Sequence, residues 1–273
     1  MQRLEDAGAV VTGAGHGIGR ALAQRLVAEG ARVVVNDLDA DACHAVAAEI
    51  GATALPGDCS STEGVAALID GATAALGRID VFMANAGIDR SVSEEQPDSL
   101  QAPEEAWAQM IETNVMSHVR AARVLVPRWL ADHRGGRFVV TASAAGLLTM
   151  IGAAPYSVTK HAAVGFAEWL SITYGHRGIA VQAICPQGVQ TRMLDQAGPL
   201  KDLLSRDQAL TPEQVAQTWV ASLAEDRFLV LPHPEVAGYY ATRAAETDRW
   251  LGGMRKLQGK LDEFLLDHDP GVQ

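Results

Sequence analysis

Short apolar segments alternate with longer amphipathic segments along most of the chain. Runs rich in Val, Ile and Ala predict seven strands, at residues 7–12, 31–36, 53–57, 79–84, 137–142, 179–185 and 228–231. Apolar residues at helical spacing lie between these runs, and the longest such helix is expected at residues 104–132, bent near Pro127. Strands that alternate with helices of about a dozen residues are typical of βαβ units. We therefore expect an α/β fold with a doubly wound parallel sheet and helices on both faces.

The composition favours one large domain over the whole length, residues 1–273. The chain is 48% hydrophobic and 20% charged, which allows a sizeable core. Its net charge of −11 argues against nucleic acid or a membrane as a partner, because both attract basic surfaces. No apolar run approaches the ~18 residues that span a bilayer, and we see no signal peptide before the first strand. We therefore predict a cytoplasmic protein.

The cysteines and histidines show no metal-ligand pattern. Cys43, Cys59 and Cys185 are odd in number and far apart, which is typical of small buried residues in a reducing compartment. The eight His residues form no HxxxH motif and no cluster with cysteine. We expect no metal site.

A glycine-rich turn joins the first predicted strand to the first predicted helix. It reads Gly13-Ala14-Gly15-His16-Gly17-Ile18-Gly19. In such a strand, turn and helix, backbone N–H groups and the helix dipole can bind a pyrophosphate. A tight turn without a ligand is the alternative.

Polar residues also follow the next predicted strands. Asp37 comes about twenty residues after the glycines, which fits an acceptor for adenosine ribose hydroxyls. A carboxylate there repels a 2′-phosphate and so favours NAD over NADP, although Asp37 or Asp39 could equally cap the next helix. Asp58 could accept from the adenine amino group or cap the helix that follows it. Because ligands bind beyond the carboxyl ends of parallel strands, Gly13, Asp37, Asp58 and Asn85 should share one site.

Tyr156 and Lys160 form a second candidate site, on a predicted helix with Pro155 in its first turn. Side chains four residues apart lie on the same helix face. A unit positive charge about 5 Å from the phenol, at an effective dielectric of about 20, favours the phenolate by roughly 3 kcal/mol. This lowers the phenol pKa from about 10 to about 8, which suits acid–base catalysis. A surface Tyr and a solvated Lys on an ordinary helix are the alternative.

Taken in order, these motifs resemble those of the short-chain dehydrogenase/reductase family over about residues 7–230. The matching pieces are Thr12 to Gly19, Asp58, Asn85-Ala86-Gly87, Asn114, Ser143, Tyr156 with Lys160, and Pro186 to Thr191. The resemblance implies a single-domain Rossmann fold with a seven-stranded sheet, NAD as the cofactor, and a homo-oligomer, either a dimer or a tetramer.

The resemblance also implies roles for individual residues. Tyr156 would be the catalytic acid/base, and Ser143 would hydrogen-bond the substrate oxygen. Lys160 would hold the nicotinamide ribose and lower the Tyr156 pKa, while Asn114 would stabilise a water in a proton relay that ends at Lys160. Val189 and Thr191 would flank the carboxamide end of the nicotinamide. The implied cofactor contacts are Gly13, Gly15, His16, Gly17, Ile18, Gly19, Asp37, Asp58, Cys59, Asn85, Ala86, Gly87, Tyr156, Lys160, Pro186, Gly188, Val189 and Thr191.

The motifs together predict an NAD-dependent oxidoreductase that interconverts a secondary alcohol and a ketone. Apolar residues at 190–211, where this fold carries a substrate lid, suggest a hydrophobic substrate, although a lid can also bury them against its own domain. An enoyl reductase of the same superfamily is disfavoured, because those relatives usually have more residues between the Tyr and the Lys. A catalytically silent nucleotide sensor or scaffold is the alternative class, and it predicts the loss of at least one catalytic residue.

The chain departs from the family pattern in three places. Ala84 stands where an Asn often precedes Asn85-Ala86-Gly87, and Gln187 replaces the usual Gly after Pro186. A helix expected at about residues 234–258 replaces the Asp-Gly-Gly turn that often follows the last strand. That helix could be a subunit contact, a flap over the substrate or an extra surface helix. Asn114 is an indifferent helix former, and solvent exposure is its simplest explanation.

Overall fold

Seven parallel strands form one sheet with helices on both faces. The computed structural model describes residues 4–91, 98–195 and 208–267. The strands are β1 (Gly8–Thr12), β2 (Arg32–Asn36), β3 (Thr53–Ala54), β4 (Val81–Ala84), β5 (Gly136–Thr141), β6 (Ile179–Ile184) and β7 (Leu229–Val230). They lie in the order β3-β2-β1-β4-β5-β6-β7, and every neighbouring pair is parallel. The predicted α/β fold and its doubly wound seven-stranded sheet are confirmed.

Helices connect the strands and cover the sheet. They are α1 (Gly17–Ala28), α2 (Ala40–Ile50), α3 (Thr62–Leu76), α4 (Glu104–Ile111), α5 (Ser117–Ala131), α6 (Ala145–Leu148), α7 (Ala154–Tyr174), α8 (Arg192–Asp195), α9 (Pro212–Ser222), α10 (Glu235–Ala245) and α11 (Thr247–Asp267). In the described part of the chain, none of the helices is long and apolar enough to cross a bilayer.

The core lies in two layers, one on each face of the sheet. Val10 of β1 packs in the layer that α3, α5 and α7 cover. Its neighbour Val11 packs in the opposite layer, beneath α1, α2 and α9. Successive side chains of a strand point to opposite faces, so a strand buried on both faces needs apolar residues throughout. This requirement explains the continuous apolar runs of the sequence.

The outer strands are shorter than predicted. β3 ends at Ala54 rather than at residue 57, and β7 contains only Leu229 and Val230. Pro56 lies two residues after the end of β3, and it has no N–H to donate to the hydrogen bonds between neighbouring strands. The strand therefore ends before the proline.

The helix expected at residues 104–132 is interrupted, and the interruption does not lie at Pro127. A π-helical turn at Glu112–Met116 separates α4 from α5, and Pro127 lies inside α5. A π-turn widens the helix by one residue and is often found at functional sites. The irregularity thus falls at Asn114 rather than at the proline.

The C-terminal segment also differs from the expected single helix of residues 234–258. The structure has two helices, α10 and α11, with Glu246 between them at φ −135° and ψ 57°, outside the helical region. α10 packs against both α6 and α11. The break at Glu246 lets the second helix turn back against the first.

A substitution at Gly136 tests the packing between the sheet and α5. A Cβ at this position would overlap the Trp129 ring, and the Trp129 Nε1–H is fixed by a 2.6 Å hydrogen bond to the Ile79 carbonyl oxygen. We expect Gly136→Ala to lower the free energy of unfolding by about 1–3 kcal/mol, because the indole cannot move without losing that bond.

Urea unfolding at a fixed protein concentration measures this effect. Gly253→Ala is the matched control, because a Cβ there meets nothing within 4 Å and alanine is the better helix former. Equal stabilities of Gly136→Ala and the parent would contradict the packing argument.

Candidate active site

A cleft of about 2150 Å³ runs along the carboxyl ends of the strands. It lies where the strand order reverses between β1 and β4, which is the usual ligand position in an open α/β sheet. The lining includes most of the residues predicted from the sequence: Gly13, His16, Gly17, Ile18, Gly19, Asp37, Asp58, Cys59, Asn85, Ala86, Gly87, Ser143, Tyr156, Lys160, Pro186, Gly188, Val189 and Thr191. The tertiary structure thus brings together residues that follow six different strands, including the start of α1 and two residues of α7.

The glycine-rich turn is shaped by close backbone approaches. Gly13 and Gly17 have φ values of 62° and 51°, in the left-handed region. A Cβ on Gly19 would overlap the Gly13 carbonyl oxygen, and the Asn85 amide nitrogen donates to that same oxygen at 3.2 Å. His16 precedes α1 without a side-chain cap, so its ring takes none of the first N–H groups of the helix. This backbone cradle suits a pyrophosphate.

The structure separates the roles left open for Asp37 and Asp39. Asp39 caps α2, accepting from the Ala42 N–H at 3.0 Å. Asp37 accepts from the Gly15 N–H at 2.8 Å with Oδ2 and from the Asp39 N–H at 3.0 Å with Oδ1. Gly15 itself is absent from the cleft lining, but its N–H fixes the carboxylate that does line it.

Asp58 does not cap the next helix, because Ser61 takes that position. Its Oδ1 accepts from the Ser60 N–H at 2.8 Å and from the Ser60 hydroxyl at 2.6 Å. These bonds lower the pKa of the Asp58 carboxyl, against the opposing effect of its partial burial. The carboxylate stays ionised at the edge of the cleft.

Ser143, Tyr156 and Lys160 converge at the other end of the cleft. The Lys160 Nζ lies 5.5 Å from the centre of the Tyr156 ring and donates to the Thr141 carbonyl oxygen at 3.0 Å. Tyr156 and Lys160 are 9% and 3% exposed, so the alternative of a solvated surface pair is wrong. The Ser143 hydroxyl accepts from the Ala145 N–H at 3.1 Å.

The predicted fall in the Tyr156 pKa does not appear in the structure. Burial raises the pKa of the phenol, the charge of Asp89 adds to the rise, and a hydrogen bond with Ser143 opposes it. Burial also lowers the pKa of Lys160 to about 8. The sequence argument counted the attraction between ammonium and phenolate but omitted the cost of removing both groups from water, and that desolvation dominates here.

Asn114 is buried behind this centre, so the expectation of solvent exposure is wrong. Its amide nitrogen donates to the Ile88 carbonyl oxygen at 2.9 Å and to the Thr159 hydroxyl at 3.1 Å. Its Oδ1 accepts from the Ile88 N–H at 2.8 Å. A Cβ on Gly87 would lie 3.3 Å from both the Asn114 Oδ1 and the Lys160 Nζ. Asn114 therefore ties the loop after β4 to α7, without lining the cleft itself.

The loop after β6 closes the same end of the cleft. The Pro186 carbonyl oxygen accepts from the Ala144 N–H at 2.8 Å, which joins this loop to the Ser143 segment. The Gln187 N–H donates to the His233 Nδ1 at 3.1 Å. Where the sequence departs from the family at Gln187, the backbone is thus held by a buried histidine after β7.

The sequence analysis missed several residues of the site. Thr141 accepts a hydrogen bond from Lys160, and Thr159 accepts one from Asn114. Thr141 lies two residues before Ser143, and Thr159 lies between Tyr156 and Lys160, so both are close to residues that the sequence analysis named. Asp89 and His233 lie in segments without a recognised pattern, so no sequence signal pointed to them. The expected lid at residues 190–211 lies largely outside the described residues. Among the described residues, no three His, Cys, Asp or Glu side chains come close enough together to hold a metal ion.

Comparisons with known proteins agree with this geometry. The family model described as short chain dehydrogenase matches residues 7–201. The chain is 36% identical to 1-deoxy-11-beta-hydroxypentalenate dehydrogenase of Streptomyces exfoliatus, over 85% of both chains. It is 34% identical to (-)-trans-carveol dehydrogenase of Rhodococcus erythropolis, over 72% of this chain and 76% of the relative.

Among solved structures, a short chain dehydrogenase/reductase from Burkholderia phymatum in complex with NAD is similar in fold. The two share a TM-score of 0.82 and 26% identity, over 91% of this chain and 96% of the other. On the family match, the two relatives and this shared fold, the chain belongs to the short-chain dehydrogenase family and is an oxidoreductase that acts on CH–OH groups.

Proposed function

We propose that the protein is an NAD-dependent dehydrogenase that interconverts a hydrophobic secondary alcohol and its ketone, with Tyr156 as the acid/base. The observation that carries the proposal is the convergence of Ser143, Tyr156 and Lys160 at one end of a cleft whose other end is the glycine-rich turn. The dehydrogenase relatives and the neighbour that binds NAD support the same function. Since Asn114, Ser143, Tyr156 and Lys160 are all present, a catalytically silent sensor is the weaker alternative.

The residues along the cleft would suit a dinucleotide. The turn at Gly13 and Gly17 and the start of α1 would bind the pyrophosphate, because a side chain at Gly19 would fill the space that the turn needs. The Asp37 carboxylate would accept from the adenosine ribose hydroxyls and repel a 2′-phosphate. Lys160 would hold the second ribose, and Val189 with Thr191 would flank the carboxamide. Bound NAD would supply the acceptor for the hydride.

The protein side chains would move the proton. In alcohol oxidation the ionised Tyr156 oxygen accepts the hydroxyl proton, and in ketone reduction the protonated phenol returns it. Ser143 holds the reacting oxygen next to Tyr156. The buried Lys160 ammonium stabilises the phenolate, which burial otherwise makes unfavourable. Asn114 fixes the backbone at Ile88 and supports the proposed water relay to Lys160.

We also propose that α7 takes part in a homo-oligomer, a dimer or a tetramer. Trp169 and Ile172 on this helix are 53% and 80% exposed, and the Trp169 ring stacks on Phe166. Large apolar side chains that protrude together from one helix are typical of subunit contacts.

Tyr156→Phe tests the proton step. We expect kcat for a panel of secondary alcohols to fall by about 10²–10⁴-fold, because the ring remains but cannot exchange a proton. The rate of NADH formation at 340 nm measures this, and quenching of protein fluorescence by NADH checks that binding is retained. Full turnover in the variant would remove Tyr156 from the mechanism. NADH binding by the parent without turnover of any panel member would instead favour the sensor.

The pH profile tests the role of Lys160. Its pKa is lowered from 10.5 to about 8, so the ammonium keeps its charge below this pH and loses it above. We expect kcat/KM for ketone reduction to be level at lower pH and to decline with a midpoint near that value, since the neutral amine no longer stabilises the phenolate.

Asp89→Asn is the matched variant for this profile. The Asp89 charge raises the pKa of Lys160, so its removal should move the decline to lower pH. The asparagine Oδ1 can still accept the 2.9 Å hydrogen bond from the Ser91 N–H. A midpoint that is the same in both proteins would contradict the assignment to Lys160.

Asp37→Asn tests the preference for NAD. The amide oxygen can still accept from the Gly15 N–H, while the bond from the Asp39 N–H is lost and the charge that would repel a 2′-phosphate is removed. At about 5 Å and an effective dielectric of about 20, each unit of repulsion costs roughly 3 kcal/mol. We therefore expect the ratio of kcat/KM for NAD to that for NADP to fall at least about tenfold, measured side by side at 340 nm. Asp39→Asn, at the helix cap, should leave the ratio unchanged.

A further inference from the structure

The helix pair α10 and α11 is attached to the segment that carries Ser143. The Val236 side chain of α10 is fully buried in the core. The Arg243 guanidinium, in the last turn of α10, donates to the Leu147 carbonyl oxygen of α6, and α6 begins two residues after Ser143. The helix pair is therefore a fixed part of the reaction end of the cleft.

One face of α11 lines this cleft. Trp250, Met254 and Leu257 lie four and three residues apart, which places them on a single helix face, and all three border the cleft. The Trp250 ring lies 6.3 Å from the ring of Tyr239 on α10, which lines the cleft as well. All four residues carry large side chains with mainly apolar surface.

The turn after α6, at residues 149–152, also lines the cleft. Thr149 has a φ of 68°, a strained value for a β-branched residue. The turn is held there because the Met150 N–H donates to the Ser157 hydroxyl at 2.9 Å. Met150 packs against the small cluster that contains Tyr156. Strain of this kind persists where the surroundings fix a conformation that the site requires.

We propose that α10 and α11 form the outer wall of the substrate pocket and select alcohols with a bulky hydrocarbon skeleton, such as fused or branched rings. This inference rests on the proposed dehydrogenase function and adds the substrate class to it. The wall is the set Tyr239, Trp250, Met254 and Leu257.

The charge distribution of the cleft supports an apolar substrate. Within the described ranges, the charged lining residues come from other elements, and neither α10, α11 nor the turn at residues 149–152 contributes one. A pocket wall of aromatic and aliphatic side chains gains affinity by removing apolar surface from water. A small alcohol would leave most of this wall in contact with water, whereas a bulky skeleton would cover it.

The test compares a bicyclic alcohol, 2-decalol, with propan-2-ol. We expect Trp250→Ala to lower the ratio of kcat/KM for 2-decalol to that for propan-2-ol at least about tenfold, since even one methylene in an apolar pocket is worth about 10-fold or more. Leu251→Ala is the matched control, because this neighbour on α11 is 48% exposed and lies outside the cleft lining. It should leave the ratio unchanged. If Trp250→Ala and Leu251→Ala have the same ratio of kcat/KM values, the proposal that α10 and α11 form this wall is wrong.

A binding measurement separates this inference from the proposed function. Calorimetric titration of 2-decalone into the NAD-saturated protein gives a dissociation constant without turnover, because an oxidised cofactor and a ketone cannot react. Binding that is weaker by at least about tenfold in Trp250→Ala, but unchanged in Leu251→Ala, supports the proposed wall even if no alcohol is oxidised. No binding to the parent protein, or equal binding to both variants, overturns it.

Met254→Ala provides a second test of the wall in case Trp250→Ala does not fold. It should weaken 2-decalone binding in the same direction by at least about threefold, because it removes part of the same wall. If Met254→Ala leaves the dissociation constant of 2-decalone unchanged, the proposed wall is contradicted as well.

Discussion

The burial of Lys160 behind Gly87 is the constraint on which the site depends. The ammonium is removed from water and donates a hydrogen bond to the Thr141 carbonyl oxygen. Burial lowers its pKa to about 8. The same enclosure raises the pKa of the Tyr156 phenol. The two groups have nearly equal pKa values in water, and burial moves these values apart, because it disfavours the charged form of each group.

Asn114 illustrates how the fold maintains this enclosure. The π-turn at Glu112–Met116 directs its amide between the backbone at Ile88 and the Thr159 hydroxyl. A regular helix would rotate the residue by a different amount and break this bridge. The cost of the irregular turn is offset by three hydrogen bonds, two to the backbone of Ile88 and a buried one to the Thr159 hydroxyl of α7.

The C-terminal segment is joined to the Ser143 end of the cleft by contacts between residues that are distant in the sequence. His233 accepts from the Gln187 N–H, and Arg243 donates to the Leu147 carbonyl oxygen. Both bonds link residues far apart along the chain. They join the segment after β7 to the loops that carry Pro186 and Ser143, so this segment is part of the site rather than an appendage.

The sequence by itself determined the order of strands and helices, the glycine-rich turn and the residues that follow each strand. These follow from local rules: apolar runs buried on both faces, glycine at positive φ, and the common edge at which parallel strands end. It could not determine that Asp39 rather than Asp37 caps α2, that the helix is interrupted at Asn114 rather than at Pro127, or that two C-terminal helices line the cleft. Nor could it give the direction of the Tyr156 pKa shift. Only the tertiary structure decided these points, because desolvation and long-range hydrogen bonds depend on which distant residues surround a group.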